Sequence, residues 1–91
     1  MQNLQGLLAN KTIFFNFMKE KYEVHYKSNI FLRDLQYAIK SFYEKKGFKI
    51  NYPTAEKLAI EFANELVNKG DLQFIIKNTW KVNFSGETAV N

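Results

Sequence analysis

Hydrophobic positions recur at helical spacing in three stretches of the chain and at strand spacing near its end, with polar residues and single glycines between them. In the first stretch Leu4, Leu7, Leu8, Phe14 or Phe15, Met18 and Tyr22 return every three or four residues, which predicts an amphipathic helix over residues 3–21 with a wide apolar stripe. The next segment, Tyr22-Glu23-Val24-His25-Tyr26, alternates and is rich in β-branched and aromatic types, so it reads as a short strand. Ser28 or Asn29 then offers a side-chain oxygen to the orphan N–H groups of a second helix, predicted over residues 30–46. Phe31, Leu32, Leu35, Ala38, Ile39 and Phe42 fall on its inner side. Lys45 and Lys46 complement the negative end of its dipole, and Gly47 supplies the left-handed residue that ends it.

The turn over residues 48–53 holds Pro53, which suits the entrance to a helix better than its interior. Thr54 is the expected N-cap of a third helix over residues 54–69, whose apolar positions Ala55, Leu58, Ala59, Phe62, Ala63, Leu66 and Val67 are the most regular in the chain; Gly70 closes it. After Asp71 the period falls to two. Leu72, Phe74 and Ile76 share a face, Lys77-Asn78-Thr79 reads as a turn, and Trp80, Val82 and Phe84 resume the same face: a β-hairpin. Ser85 to Asn91 is small and polar without a packing period, and is expected to be a flexible tail after a single domain over residues 1–84. The expected class is α+β, mostly helical, with a three-helix core, a short strand and the hairpin.

Composition narrows what such a domain does. With 46% hydrophobic and 24% charged residues, the 91-residue chain can bury one core without metals or disulfides. An aromatic content of 16% is high enough that some rings are expected at the surface as a contact patch. The absence of Cys excludes thiolate metal sites, disulfide scaffolds and cysteine nucleophiles. Residues 1–9 lack a basic segment followed by a long apolar one, and no apolar run approaches the roughly 18–20 residues that span a bilayer. A cytoplasmic protein without membrane contact is therefore expected. Its net charge of +4 is unevenly spread: residues 1–49 hold nine Lys/Arg against four acids, and residues 50–91 four Lys against five acids.

The element order, together with the stretch from Thr54-Ala55-Glu56-Lys57-Leu58-Ala59 to Leu66-Val67-Asn68-Lys69-Gly70-Asp71-Leu72, resembles the winged helix-turn-helix superfamily over about residues 10–84. The resemblance implies a winged helix whose hairpin is the wing, and a DNA-binding role such as that of a small transcription regulator or a replication accessory factor. It brings no catalytic motif.

In that superfamily the third helix commonly enters the major groove, where Arg, Lys, Asn and Gln meet base edges and phosphates. Here the outward set is Thr54, Glu56, Lys57, Ile60, Glu61, Asn64, Glu65 and Asn68, and three carboxylates against one lysine make a poor surface for a polyanion. The same residues also read as an ordinary solvated face. A better electrostatic footprint is Lys40, Lys45, Lys46 and Lys49 around the end of the second helix, with Lys77, Asn78 and Lys81 on the wing. Tyr26, Phe48 and Tyr52 lie near basic residues and either pack as turn anchors or stack on unpaired bases.

Two functions follow. The first is a nucleic-acid-binding protein, with DNA the expected ligand, that grips phosphates through Lys40, Lys45, Lys46, Lys49, Lys57, Lys77, Asn78 and Lys81. The second is a protein-interaction module that uses Glu56, Ile60, Glu61, Asn64 and Glu65. Leu4, Leu7 and Leu8 exceed what a compact core requires and suggest a homodimer through the first helix as a variant of either. An enzyme is not expected: His25 is the sole histidine, Glu20 and Glu23 have no ligand-like partners for a metal, and the four glycines are isolated, so no phosphate-cradling loop or other cofactor site is present in the pattern.

Overall fold

The computed structural model describes residues 3–84. The expected tail over residues 85–91 lies outside them. The chain runs α1 (Leu4–Ala9), α2 (Lys11–Met18), β1 (Asn29–Phe31), α3 (Leu32–Lys45), α4 (Tyr52–Lys69), β2 (Leu72–Ile76) and β3 (Thr79–Val82). It is an α+β fold in which helices pack on a three-stranded antiparallel sheet of order β1-β3-β2.

The predicted first helix is two helices, broken at Asn10. The Asn10 backbone N–H bonds to the carbonyls of Gly6 and Leu7, and its side-chain Nδ2 donates to the same Gly6 carbonyl at 2.9 Å. An asparagine that takes up the last carbonyls of one turn competes with helix continuation. The break re-aims the chain, so that Leu7 is buried from α1 while Phe14, Phe15 and Met18 are buried from α2. Leu4 and Leu8 also pack against the core, so the leucines that suggested a homodimer through this helix are used inside the chain.

No strand forms over Tyr22–Tyr26. Only Val24 of that segment is buried, and the backbone turns at residues 25–28 instead. The Ser28 hydroxyl holds this turn: it accepts the His25 N–H at 3.0 Å and lies 2.8 Å from the His25 carbonyl, while Lys27 takes a positive φ of 72°. The strand comes later, at Asn29–Phe31, so neither Ser28 nor Asn29 caps α3. The first N–H of α3, at Leu32, is taken by the carbonyl of Asn78 at 2.9 Å, across from the hairpin turn. A tertiary contact thus does what a capping side chain would do.

Helix α3 buries Leu32, Leu35, Ala38, Ile39, Phe42 and Tyr43. It ends as predicted at Gly47, with φ of 89°, and the Phe48 N–H returns to the Tyr43 carbonyl. Helix α4 starts two residues earlier than expected because Asn51, not Thr54, is the cap: its side chain accepts the Thr54 N–H at 2.9 Å, and Pro53 sits in the first turn. Gly70, at φ of 86°, ends α4, and the Asp71 N–H bonds to the Leu66 carbonyl. Phe14 is central to the core, in edge contact with Phe15, Phe42 and Phe62 at 5.3–5.5 Å between centroids. Such contacts join α2, α3 and α4 and contribute about 0.5–1.5 kcal/mol each beyond area burial. Lys11 at the start of α2 bonds to Asp71 just before β2 at 2.7 Å.

The hairpin forms with the predicted strands, but its faces differ from the expectation. Trp80, Val82 and Phe84 are buried, whereas only Leu72 of β2 is. Phe74 lies opposite Trp80 yet overhangs the edge of the core. Beyond it the register shifts, pairing Ile76 with Thr79 and leaving Ile75 extra. A bulge of this kind resets the alternation, which carries Ile76 to the outer face with Thr79. Phe31, expected inside, pairs with Thr79 on that same outer face, because the residue of β1 that points to the core is Ile30.

Candidate nucleic-acid interface

The exposed side of α3 and the first turn of α4 form one surface. The Gln36 side chain donates to the Tyr52 carbonyl at 2.9 Å, which fixes the start of α4 against the middle of α3. Tyr37 and Tyr52 then meet edge to face, with centroids 5.5 Å apart. The Lys40 ammonium lies 5.0 Å from the Tyr52 ring centroid and bonds to Glu44 one turn further along α3. The hydrogen bond to Glu44, ahead of any other influence, holds the Lys40 pKa above its ordinary value. Both tyrosines remain exposed, Tyr52 by 53%.

Further lysines fan out from the last turn of α3 and the turn that follows it. Lys45 lies over the Phe17 ring of α2 at 5.4 Å, and Lys46 over Phe42 at 4.9 Å. Lys49 and Phe48 are exposed on the turn to α4. Cation–π contacts at exposed sites are worth about 0.5–1 kcal/mol. They position the ammonium groups without discharging them.

Lys77 and Asn78 sit on the hairpin turn, Asn78 at a positive φ of 63°, and Lys81 lies between Asn29 and Gln73 on the outer face of the sheet. The Asn78 carbonyl is bonded at the start of α3, while Lys45, Lys46 and Lys49 are at its end. Fourteen helical residues separate the two groups by about 20 Å. Lys45, Lys46 and Lys49 therefore lie apart from Lys77 and Lys81, with Lys40 in the middle of α3 and Lys57 on α4; Arg33 is exposed in the first turn of α3.

On α4, Glu56, Lys57, Ile60 and Asn64 are exposed as the periodicity predicts, whereas Glu61 and Glu65, expected outward with them, are half-buried. Ile60 is 39% exposed amid these acids. Tyr26 is exposed beside Lys27, whose ammonium is 5.5 Å from its ring. His25 is exposed, with Nε2 2.9 Å from a Glu23 carboxylate oxygen. Among the described residues no group of three His, Asp or Glu is placed to hold a metal ion. A cleft of about 320 Å3 opens between the end of α2, β1 and the start of α3, with Met18 and Ile30 at its apolar side and Lys21, Glu23 and Asp34 at its rim. Tyr22 lines it; burial first, and then the negative charge of Asp34, raise its pKa. No helix among the described residues is long and apolar enough to cross a membrane.

Tyr37 was missed in the sequence, although it sits out of phase with the apolar stripe of Leu35, Ala38, Ile39 and Phe42, and that phase is the signal. Phe31, Phe74 and Ile76 were missed as exposed residues: Ile76 for want of any local sign of the bulge, Phe31 because Ile30 takes the inward place on β1, and Phe74 because it lies on the edge strand. No protein-family model, curated protein or solved structure matches the chain.

Proposed function

We propose that the chain is a winged-helix domain that binds nucleic acid through the tyrosine and lysine surface at the junction of α3 and α4, by phosphate contact and stacking rather than by base readout from α4. The observation that carries this reading is the exposed Tyr37–Tyr52 pair with the Lys40 ammonium over Tyr52, midway along α3, with Lys45 and Lys46 beyond it at the end of the helix and Lys49 on the turn that follows. Exposed rings offer π-faces to unpaired bases, and the surrounding ammonium groups meet the phosphates between them. The β1-β3-β2 strand order, with the hairpin following the longest helix, supports the winged-helix part. The carboxylates of Glu56, Glu61 and Glu65 argue against laying α4 along a groove.

Fluorescence anisotropy with labelled duplex and single-stranded DNA, at low and near-physiological salt, tests this. The expected result is salt-sensitive binding with preference for the single strand. Tyr52→Ala should weaken single-strand binding by about 1–3 kcal/mol, the usual range for one stacking contact. The Lys45→Glu/Lys46→Glu pair should flatten the salt dependence. No binding at low salt would overturn the reading.

Exposed Ile60 among Glu56, Lys57 and Asn64 favours a second reading, a protein-interaction module that docks a basic or apolar groove on α4. Ile60→Glu should then release a captured partner, and a partner retained by that variant would exclude this face.

A further inference from the structure

The outward face of α3 carries more than the tyrosine that meets Tyr52. Arg33, Tyr37 and Lys40 follow one another at helical spacing and form a single stripe, opposite the buried Leu35, Ile39 and Phe42. Glu44, next on that stripe, is bonded to Lys40, and Asp34 lies to one side, on the cleft that it lines with Tyr22. The stripe starts where the hairpin docks, because the Leu32 N–H donates to the Asn78 carbonyl and so brings the turn with Lys77 to the first turn of α3. Arg33 has no use inside the fold: it is exposed and makes no hydrogen bond, ion pair or ring contact with the described residues. It also stands at the positive end of the helix dipole, where a cation is disfavoured. A guanidinium held there without an internal partner is placed for an anion from outside.

We propose that a bound single strand runs along this stripe, from the lysines at the end of α3 past the tyrosine pair to the hairpin turn, with Arg33 holding one phosphate and Lys77 the next beyond it. The proposal rests on the nucleic-acid reading above and gives that site its path and its length. Arg33 and Lys40 are about 10 Å apart along the helix axis, and Arg33 and Lys46 about 20 Å. A stacked strand carries one phosphate per about 3.4 Å, so the stripe spans about six nucleotides, of which about three lie between Arg33 and Lys40. The order of the side chains matches a single strand: a ring stands between two cations, as bases stand between phosphates. On a duplex those bases are already stacked and paired, and Tyr37 would meet none of them. Arginine suits the position because its planar fork binds a phosphate through two N–H groups.

Anisotropy of the full chain with labelled oligothymidylates of about four to about twelve nucleotides, the range of single-strand site sizes, tests this across a salt series. Affinity should climb steeply up to about six nucleotides and gently thereafter. On the longest oligomer Arg33→Ala should weaken binding several-fold and lower the slope of log affinity against log salt by about 0.7, the value for one phosphate contact on a single strand. Lys77→Ala should lower the slope by a similar amount, and Arg33→Lys, which keeps the charge, should restore it. Arg33 is exposed and unpaired among the described residues, so its variants should keep the parent's urea midpoint. An Arg33→Ala variant with the parent's slope, or a longest oligomer bound no more tightly than the shortest, overturns the path and leaves the tyrosine site standing. Competition by polyglutamate as effective as that by the oligomer overturns the nucleic acid as occupant in favour of an acidic peptide. A parent that binds no oligomer of any length overturns the path together with the reading beneath it.

Discussion

The two strands of the hairpin carry similar apolar patterns and meet opposite fates. In β3, Trp80 and Val82 are buried because Ile30 on one side and β2 on the other flank them while the helices cover them. In β2, Phe74 on the same face is 59% exposed, against 4% for Trp80, and Ile76, carried to the outer face by the bulge, is 62% exposed. Alternation selects a face of the sheet. Whether that face is covered depends on position within the sheet, and an edge strand that runs past the helices keeps its pattern without the burial.

The comparison is broken most sharply by truncation on each strand. Trp80→Ala should cost about 3–5 kcal/mol, the range for removing a large buried ring, read by urea unfolding. Asn78→Val, which forces a β-branched residue to a φ of 63° between the two strands, should cost about 1–2 kcal/mol in the same assay. Asp71→Asn removes the ion pair to Lys11 that anchors the start of β2; that pair is partly solvated, so the loss should stay below about 1 kcal/mol and shrink with added salt. Phe74→Ala should change stability by no more than about 0.5 kcal/mol, as an exposed position does. A loss at Phe74 comparable to that at Trp80 would mean that the overhanging ring packs in solution after all.

Periodicity located the second and third long helices, both ends set by Gly47 and Gly70, the hairpin, and the outward residues of α4. Each rests on local chemistry: an apolar stripe, or a glycine where the backbone turns left-handed. What escaped was decided at a distance. Asn10 splits a continuous stripe because its side chain finds the Gly6 carbonyl, and the 22–26 segment fails as a strand because β3 pairs with residues 29–31 instead. The lysines of the candidate interface were legible as residues, but not their division between the two ends of α3, which depends on where the hairpin turn docks. Tyr37 joins the site only through its contact with Tyr52, which is tertiary.

The hydrogen bond from Leu32 to the Asn78 carbonyl has a kinetic consequence. The start of α3 and the whole of β1 find their partners only in the hairpin, which is made after them. As a nascent chain lengthens, its first half can collapse around Phe14 and Phe42, but β1 stays unpaired and α3 stays open at its first turn until the hairpin arrives. Long-range closure of this kind slows folding relative to a bundle of local contacts. The step that completes the domain is therefore the addition of its last two strands, and it closes the strand edge and the helix end together.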